Sequence, residues 1–406
     1  IRALIFPETF PAVKRSAISR GRDDFMPFTF KKQIFGFMDL LRFKKLVPKR
    51  REKLAEGSSE PLPQTYRVNE TAKILHPGYQ KANLVKIAQN TPDTKTFTFE
   101  TEHPLYFRAG QYVTLGCKIN ESEVSRPYAI SSAPKEPLKK HVALTVKKSG
   151  FFRGYLFDTA KVGDTFILGD PSGDFCYEPL KDADHVVALA GGSGITPFFS
   201  MAQAIADGTE DHRLTIFYGA KTEKDLIFKK ELDALASDKI KLVYVLSDEQ
   251  REGFEYGFIG AELLKKYISG DFTVMMCGPQ AMYIYAEKQL EEFDLPRRRK
   301  KQEANCAGVR DAEQVFYNLI VHIGFDTFTV QADARETILT ALERAGLRVP
   351  SKCRAGGCGF CHSKLVRGTF SIAGDDKRRL ADSKFGYIHP CCSYPDSDME
   401  LIVPKV

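Results

Sequence analysis

With 406 residues, 43% of them apolar and 27% charged, the chain has the composition of ordinary globular protein and the length for two to four domains. Its longest apolar runs, at residues 185–190 and 272–277, are strand-sized and far short of the roughly 20 residues a membrane helix needs, and the N-terminus lacks the basic head and apolar core of a secretory signal. The net charge of +7 resides in residues 1–60, which hold 14 Lys/Arg against 7 Asp/Glu, so the remainder is neutral and a nucleic-acid-binding surface is not expected.

Residues 1–67 read as a basic extension. Within it, residues 31–45 place Ile34, Phe35, Phe37, Met38, Leu41 and Phe43 in a mixed helical pattern flanked by Lys and Arg. Such a helix either packs on the rest of the chain or docks, through residues 1–60, on an acidic protein or peripherally on an anionic membrane surface. The Gly/Ser/Pro-rich residues 57–63 read as a linker. Residues 68–180 hold short alternating runs at 96–100, 111–117, 141–146 and 165–169 separated by turn residues, which predicts an antiparallel β-barrel. Residues 181–305 alternate apolar runs at 185–190, 214–218, 240–245 and 272–277 with helical stretches at 197–205 and 226–235, the βαβ rhythm of an α/β parallel sheet. A polar linker, 306–314, leads to residues 315–406, where 316–324 and 328–331 suggest a hairpin, 337–345 a helix, and a cysteine-rich loop follows. The expected fold class is multidomain: a barrel, then a parallel sheet, then a small α+β module.

Of the nine cysteines, Cys353, Cys358, Cys361, Cys391 and Cys392 crowd the last 54 residues. An odd count clustered at one end argues against a secreted disulfide framework and for metal binding in a reducing, cytoplasmic setting. Cys353, Cys358 and Cys361 have C-x4-C-x2-C spacing, and Cys391 follows after 29 intervening residues. Three soft thiolates on one tight loop can wrap a small cluster, and this spacing is that of plant-type iron–sulfur proteins; zinc more often takes paired C-x2-C ligands. Gly356, Gly357 and Gly359 let the loop curl and aim backbone N–H groups at sulfur.

Two further motifs suit nucleotide chemistry. In the barrel region, the guanidinium of Arg126 could grip a pyrophosphate, and Tyr128, two residues on along a strand, could stack on a flat ring; a plain surface strand carries the same pattern. The run Gly191-Gly192-Ser193-Gly194-Ile195-Thr196-Pro197 follows an apolar run and opens a helix, where backbone amides can meet a diphosphate. A tight strand–helix turn with no ligand would read the same way. Cys277-Gly278-Pro279-Gln280 ends another strand, and Cys277 by itself reads as a small buried hydrophobe.

Residues 353–361 followed by Cys391-Cys392-Ser-Tyr-Pro resemble a plant-type 2Fe–2S ferredoxin over residues 315–406, which implies a β-grasp module with Cys353, Cys358, Cys361 and Cys391 as ligands and Cys392 as a neighbour. Residues 68–305 resemble the ferredoxin–NADP⁺ reductase superfamily through Arg126-Pro127-Tyr128-Ala129-Ile130-Ser131, the glycine turn and Cys-Gly-Pro. The resemblance implies FAD held by those residues together with Val146, Lys147, Ser149, Gly150, Phe151 and Phe152. It also implies a nicotinamide dinucleotide held by Gly192, Ser193, Gly194, Ile195, Thr196, Gly278, Pro279 and Gln280, with Tyr128, Thr196 and Cys277 at the reacting centre. Two departures stand out: Ala129 replaces a Ser/Thr, and Arg153 occupies another Ser/Thr position. Asp248 lies where NADPH enzymes of this family carry basic residues, which favours NADH over NADPH, while Lys221 and Arg251 lie nearby. The implied activity is an NAD(P)H-dependent reductase feeding a partner oxygenase or reductase. A stand-alone reductase of a small oxidant and a cluster-based redox sensor are the alternatives.

Overall fold

The structure is a computed structural model that describes residues 37–57, 66–119, 122–303, 308–372, 374 and 376–405. Residues 31–36 of the amphipathic stretch, residues 58–63 of the expected linker and Cys306 lie outside the described residues. Residues 1–64 and 65–406 separate into two units.

In the first unit, α1 (Phe37–Ala55) runs through an internal proline, Pro48, and exposes Leu41, Phe43, Leu46 and Leu54 alongside its basic side chains. No helix among the described residues is long and apolar enough to cross a membrane.

The second unit opens with α2 (Arg67–Leu75). Six strands follow: β1 (Gln80–Thr91), β2 (Thr94–Thr101), β3 (Tyr112–Ile119), β4 (Ser122–Ala129), β5 (His141–Lys147) and β6 (Thr165–Leu168), with α3 (Lys135–Leu138) before β5 and α4 (Gly150–Asp158) after it. They form an antiparallel sheet in the order β4-β3-β6-β1-β2-β5. The strip curls until Ile130, just past β4, pairs with Leu144 of β5, which brings the two edge strands together. Burial alternates along strands such as β6, exposed–buried–exposed–buried, as a sheet with one face on a core requires. Ile130 is fully buried and Ser131 gives its hydroxyl to Ala143 O at 2.9 Å, so this pair of residues closes the sheet.

The next sheet is parallel throughout: β7 (His185–Gly191), β8 (Arg213–Ala220), β9 (Ile240–Leu246), β10 (Glu255–Tyr256), β11 (Thr273–Cys277) and β12 (Lys300–Gln302), in the order β10-β9-β8-β7-β11-β12. Helices α5 (Thr196–Ala206), α6 (Lys229–Leu235), α7 (Ala261–Tyr267) and α8 (Gln280–Leu290) cover it. Central β7 is apolar along its length because it is buried on both faces: Val186, Ala188 and Ala190 join the core with α5 and α6, and Val187 and Leu189 the core with α7 and α8. Residues 226–228, expected to be helical, are not, because Phe228 takes a left-handed φ of 61° and α6 starts behind it.

The last part contains β13 (Phe316–Ile323), β14 (Asp326–Asp333), α9 (Ile338–Arg344), β15 (Ser363–Arg367), β16 (Phe370–Ile372), α10 (Leu380–Lys384), β17 (Tyr387–Ile388), β18 (Ser393–Pro395) and β19 (Met399–Val403). The main sheet runs β14-β13-β19-β15-β17, with β13 and β19 parallel, and α9 packs across it in the manner of a β-grasp. The α9 N-cap is Thr337, whose hydroxyl oxygen accepts the Thr340 N–H.

Candidate functional site

The ends of β4, β5, β7 and β11 converge on a cleft of about 420 Å³. Tyr128 and Ala129 form part of one wall, Gly192 and Thr196 the turn after β7, and Cys277 the end of β11. The three motifs, with Tyr128 and Cys277 149 positions apart, therefore share one cavity.

On the barrel side, Tyr128 is 6% exposed and stacks on Phe152, with ring centroids 6.3 Å apart and planes 26° from parallel. Phe152 belongs to the core beneath, whereas Phe151 is two-thirds exposed and Gly150 opens α4 at φ +64°. Arg126 lies mid-strand rather than at a strand entry. Its Nη1 donates to Ser125 O at 2.7 Å and to Glu343 Oε2 of α9 at 3.1 Å. Lys147 lines the cleft while pairing with Asp93 at 3.1 Å, and Arg153 lines it while donating to Ser149 Oγ at 2.9 Å. Ile130 and Ser131 serve the sheet closure and are not lining residues. Arg126 itself is not a lining residue; the wall at Tyr128, flanked by Lys147 and Arg153 with Arg126 two residues back on the same strand, fits a ring system carrying phosphate.

On the parallel-sheet side, β7 passes into a short 3-10 turn, Gly192–Ile195, before α5 begins. Gly192 takes φ +54°, and a Cβ on Gly194 would stand 1.9 Å from the Cys277 carbonyl oxygen, so the two turns can touch only through glycine. Thr196 is buried and donates its hydroxyl to Ser193 O at 2.8 Å, which ties off the turn. Burial pushes the Cys277 thiol far above its ordinary range, with Glu303 adding to the effect, so it is a neutral thiol. Gly278 N–H donates to the Tyr283 hydroxyl at 3.0 Å, which donates to Glu303 O at 3.2 Å. Ile195 is fully buried in the core. Asp248 lies beyond β9 and away from the cleft lining, and accepts the Ser247 hydroxyl at 2.6 Å. Arg251 nearby is held by Glu223 at 2.7 Å and Glu249 at 3.4 Å.

The cleft also includes Thr145, Pro197 and Glu303, which motif reading did not select. Glu303 enters because β12 pairs with β11, Gln302 opposite Met276, and no local pattern announces that neighbour.

The cysteines gather under α9. Cys361, Cys391 and Cys392 are buried with Leu339, while Cys353 is half-buried and Cys358 exposed. Cys353 Sγ accepts the N–H groups of Ala355 at 3.4 Å and Cys358 at 3.5 Å, the donor pattern a thiolate ligand needs. Contacts from Cys358 and Cys391 hold the Cys353 thiol well below its ordinary range. The Cys391 sulfur meets those of Cys353 and Cys361 as well as Cys392; Cys392 meets Cys391 and turns its Sγ to His389 O at 3.5 Å. Four thiols, one set of backbone donors and a dry inner side fit a two-iron cluster. Buried His389 braces the loop by bonding Gly356 O at 2.7 Å and Asp382 at 3.3 Å.

Comparison with known proteins agrees with this layout. The oxidoreductase FAD-binding domain family matches residues 81–177, the oxidoreductase NAD-binding domain family residues 188–288, and the 2Fe-2S iron-sulfur cluster binding domain family residues 321–396. The glycine betaine monooxygenase reductase subunit of Chromohalobacter salexigens is 28% identical over 80% of this chain and 95% of its own length. The NADH oxidoreductase HCR of Escherichia coli K12 is 29% identical over 78% and 95%. NADH-cytochrome b5 reductase 2 of Xenopus tropicalis is 33% identical over 50% of this chain and 78% of its own length. The solved structure of phthalate dioxygenase reductase superposes with a TM-score of 0.62 at 22% identity, covering 81% of this chain and 98% of that one, a likeness of fold. The chain thus belongs to the ferredoxin–NADP⁺ reductase superfamily of FAD- and NAD-binding oxidoreductases, carrying a 2Fe–2S ferredoxin-type domain after the reductase core.

Proposed function

We propose that the chain is an NADH-dependent reductase that passes electrons through FAD and a 2Fe–2S cluster to a partner redox protein, an oxygenase or reductase component. When bound, the flavin and the cluster supply the exchange of a two-electron hydride for single electrons. The observation that carries this reading is spatial: the cysteine module packs through α9 on β4, the strand that bears Arg126 and Tyr128.

Tyr128, backed by Phe152, gives the flavin ring a flat wall. Arg126 and Lys147 face its phosphates. The Gly192–Gly194 amides receive the dinucleotide diphosphate, with Thr196 holding the turn shut. Cys277, as a neutral thiol, lets a nicotinamide approach without a charged neighbour. Asp248 suits a ribose 2′-hydroxyl and repels a 2′-phosphate, and two carboxylates already neutralise Arg251, which supports NADH. Cys353, Cys358, Cys361 and Cys391 hold the cluster. The divisions 68–180, 181–305 and 315–406 are assigned to these three tasks.

The partner class rests on likeness to the reductase subunits above. The basic α1, with Arg42, Lys44, Lys45 and Lys49 beside exposed Phe43 and Leu46, is assigned to docking on an acidic protein or an anionic membrane surface. Five of the nine cysteines cluster in the last 54 residues, the pattern of a metal loop rather than a disulfide framework, which supports a reducing compartment such as the cytoplasm.

The test is NADH-dependent reduction of ferricyanide and of cytochrome c by the wild type and Cys358→Ser. Loss of cytochrome c reduction with ferricyanide reduction retained supports the relay. A variant that keeps both rates would refute it.

A further inference from the structure

Glu343 is the sixth residue of α9, and its side chain is 7% exposed. One carboxylate oxygen takes Arg126 of β4 at 3.1 Å; the other takes Arg354, which follows the ligand Cys353 and is itself 6% exposed at φ +53°. A single carboxylate therefore joins the flavin strand to the cysteine loop. The carboxylate, buried between two guanidiniums, relies on both of them, because a buried charge is costly without partners. Burial first and Arg354 next push the Arg126 guanidinium below its ordinary range, and Glu343 works in the opposite direction. The hydrogen bonds of Arg126 among the described residues all leave from Nη1, to Ser125 and Glu343, which leaves Nη2 and Nε for a further partner. The remaining polar links between α9 and β4 are weak: Ser122 Oγ reaches Arg344 O at 3.4 Å, and the neighbouring Arg348–Glu123 pair is solvent-exposed.

We propose that Glu343 is a positioning residue that couples flavin-phosphate binding at Arg126 to the seating of the cluster module on β4. A phosphate monoester or diphosphate of the flavin, taken by the other edge of the guanidinium, fixes Arg126 against Glu343, so phosphorylated flavin tightens the α9–β4 contact and the cluster loop sits firmly only when the flavin site is filled. The inference rests on the flavin reading of Arg126.

Hydrogen exchange read by mass spectrometry on the full-length, cluster-loaded protein tests it. Flavin is removed, then FAD, FMN or riboflavin is added to saturation, followed by quenching of flavin fluorescence. FAD and FMN are expected to slow exchange in residues 338–344 about tenfold, within the range usual for coupled sites, while riboflavin, lacking phosphate, leaves them unchanged. Glu343→Gln should abolish the slowing at 338–344 yet keep flavin-dependent protection of 122–129, and Glu343→Asp should restore part of it. Equal protection by riboflavin and FMN, or protection at 338–344 that survives in Glu343→Gln, overturns the coupling alone. The comparison of flavins needs no variant. Failure of all three flavins to be quenched overturns the flavin reading together with it.

Discussion

Replacing Gly194 with Ala probes the contact on which the cleft depends. The three atoms nearest the added Cβ are all backbone: the Cys277 carbonyl oxygen at 1.9 Å, its carbon at 2.4 Å and Gly278 N at 2.9 Å. Real contacts stop near 3.0 Å, so the turn after β7 and the end of β11 must part by about 1.1 Å. Overpacking of this kind costs roughly 1–3 kcal/mol, and displacement of about 1 Å at a reacting centre costs about 100-fold in rate. Gly192→Ala is the control. It meets no atom within 4 Å but keeps φ +54°, so its penalty is the roughly 1–2 kcal/mol of a left-handed residue without a clash. The assay is NADH–ferricyanide kinetics with flavin absorbance monitored. Gly194→Ala should lower kcat/KM for NADH about 100-fold with flavin content unchanged, and Gly192→Ala much less. Equal, mild losses in both would show that the Gly194–Cys277 contact does not set the nicotinamide geometry.

A second perturbation concerns pH. Before β8, Glu210 Oε2 lies 3.7 Å from Nδ1 of buried His212, whose ring stacks on Tyr177 at 4.0 Å. Burial raises Glu210 from 4.5 to about 7 and lowers His212 from 6.5 to about 4. The fold binds the Glu210 proton more tightly than the unfolded chain does, so that stabilisation is whole below pH 4.5 and is lost as pH rises through about 7. His212 acts in reverse: its share is whole above pH 6.5 and is lost as pH falls through about 4. Glu210→Gln should remove the alkaline-side loss, a gain of at most about 3 kcal/mol at pH 8 relative to pH 5 in urea unfolding; parallel curves for variant and wild type would exclude the charge. For cofactor choice, Glu223→Gln with Glu249→Gln releases Arg251, and the NADPH-to-NADH ratio of kcat/KM should rise about tenfold. An unchanged ratio would show that Arg251 cannot reach a 2′-phosphate.

Elements whose signal is local were legible in the sequence. The alternation at 141–146 became β5, the run at 185–190 became β7, and the hairpin and helix around 316–345 lie within a few residues of β13, β14 and α9. Long β1 was missed because its alternation, with Lys81 and Asn83 out and Ala82 and Leu84 in, ends at Leu84: Val85 and Lys86 are both exposed, and the pairing with β2 shifts register there. The motifs that line the cleft, around Tyr128, Gly192 and Cys277, carry their chemistry in contiguous residues and could be picked out one by one. What no window contains is the partnership of distant residues. Arg126 meets Glu343 217 positions away, and Glu303 reaches the cleft through a three-residue strand pairing. The Arg126 side chain looked free for phosphate alone; in the fold it also serves a second domain.

The position of β19 decides what a shortened chain would keep. Met399–Val403 is the last strand among the described residues yet lies inside its sheet, between β13 and β15, and Cys391 and β18 stand just before it. A chain cut before Met399 would keep every strand of the barrel and of the parallel sheet but leave β13 and β15 without their shared neighbour, so damage there strips the support from the cysteine loop and spares the nucleotide cleft.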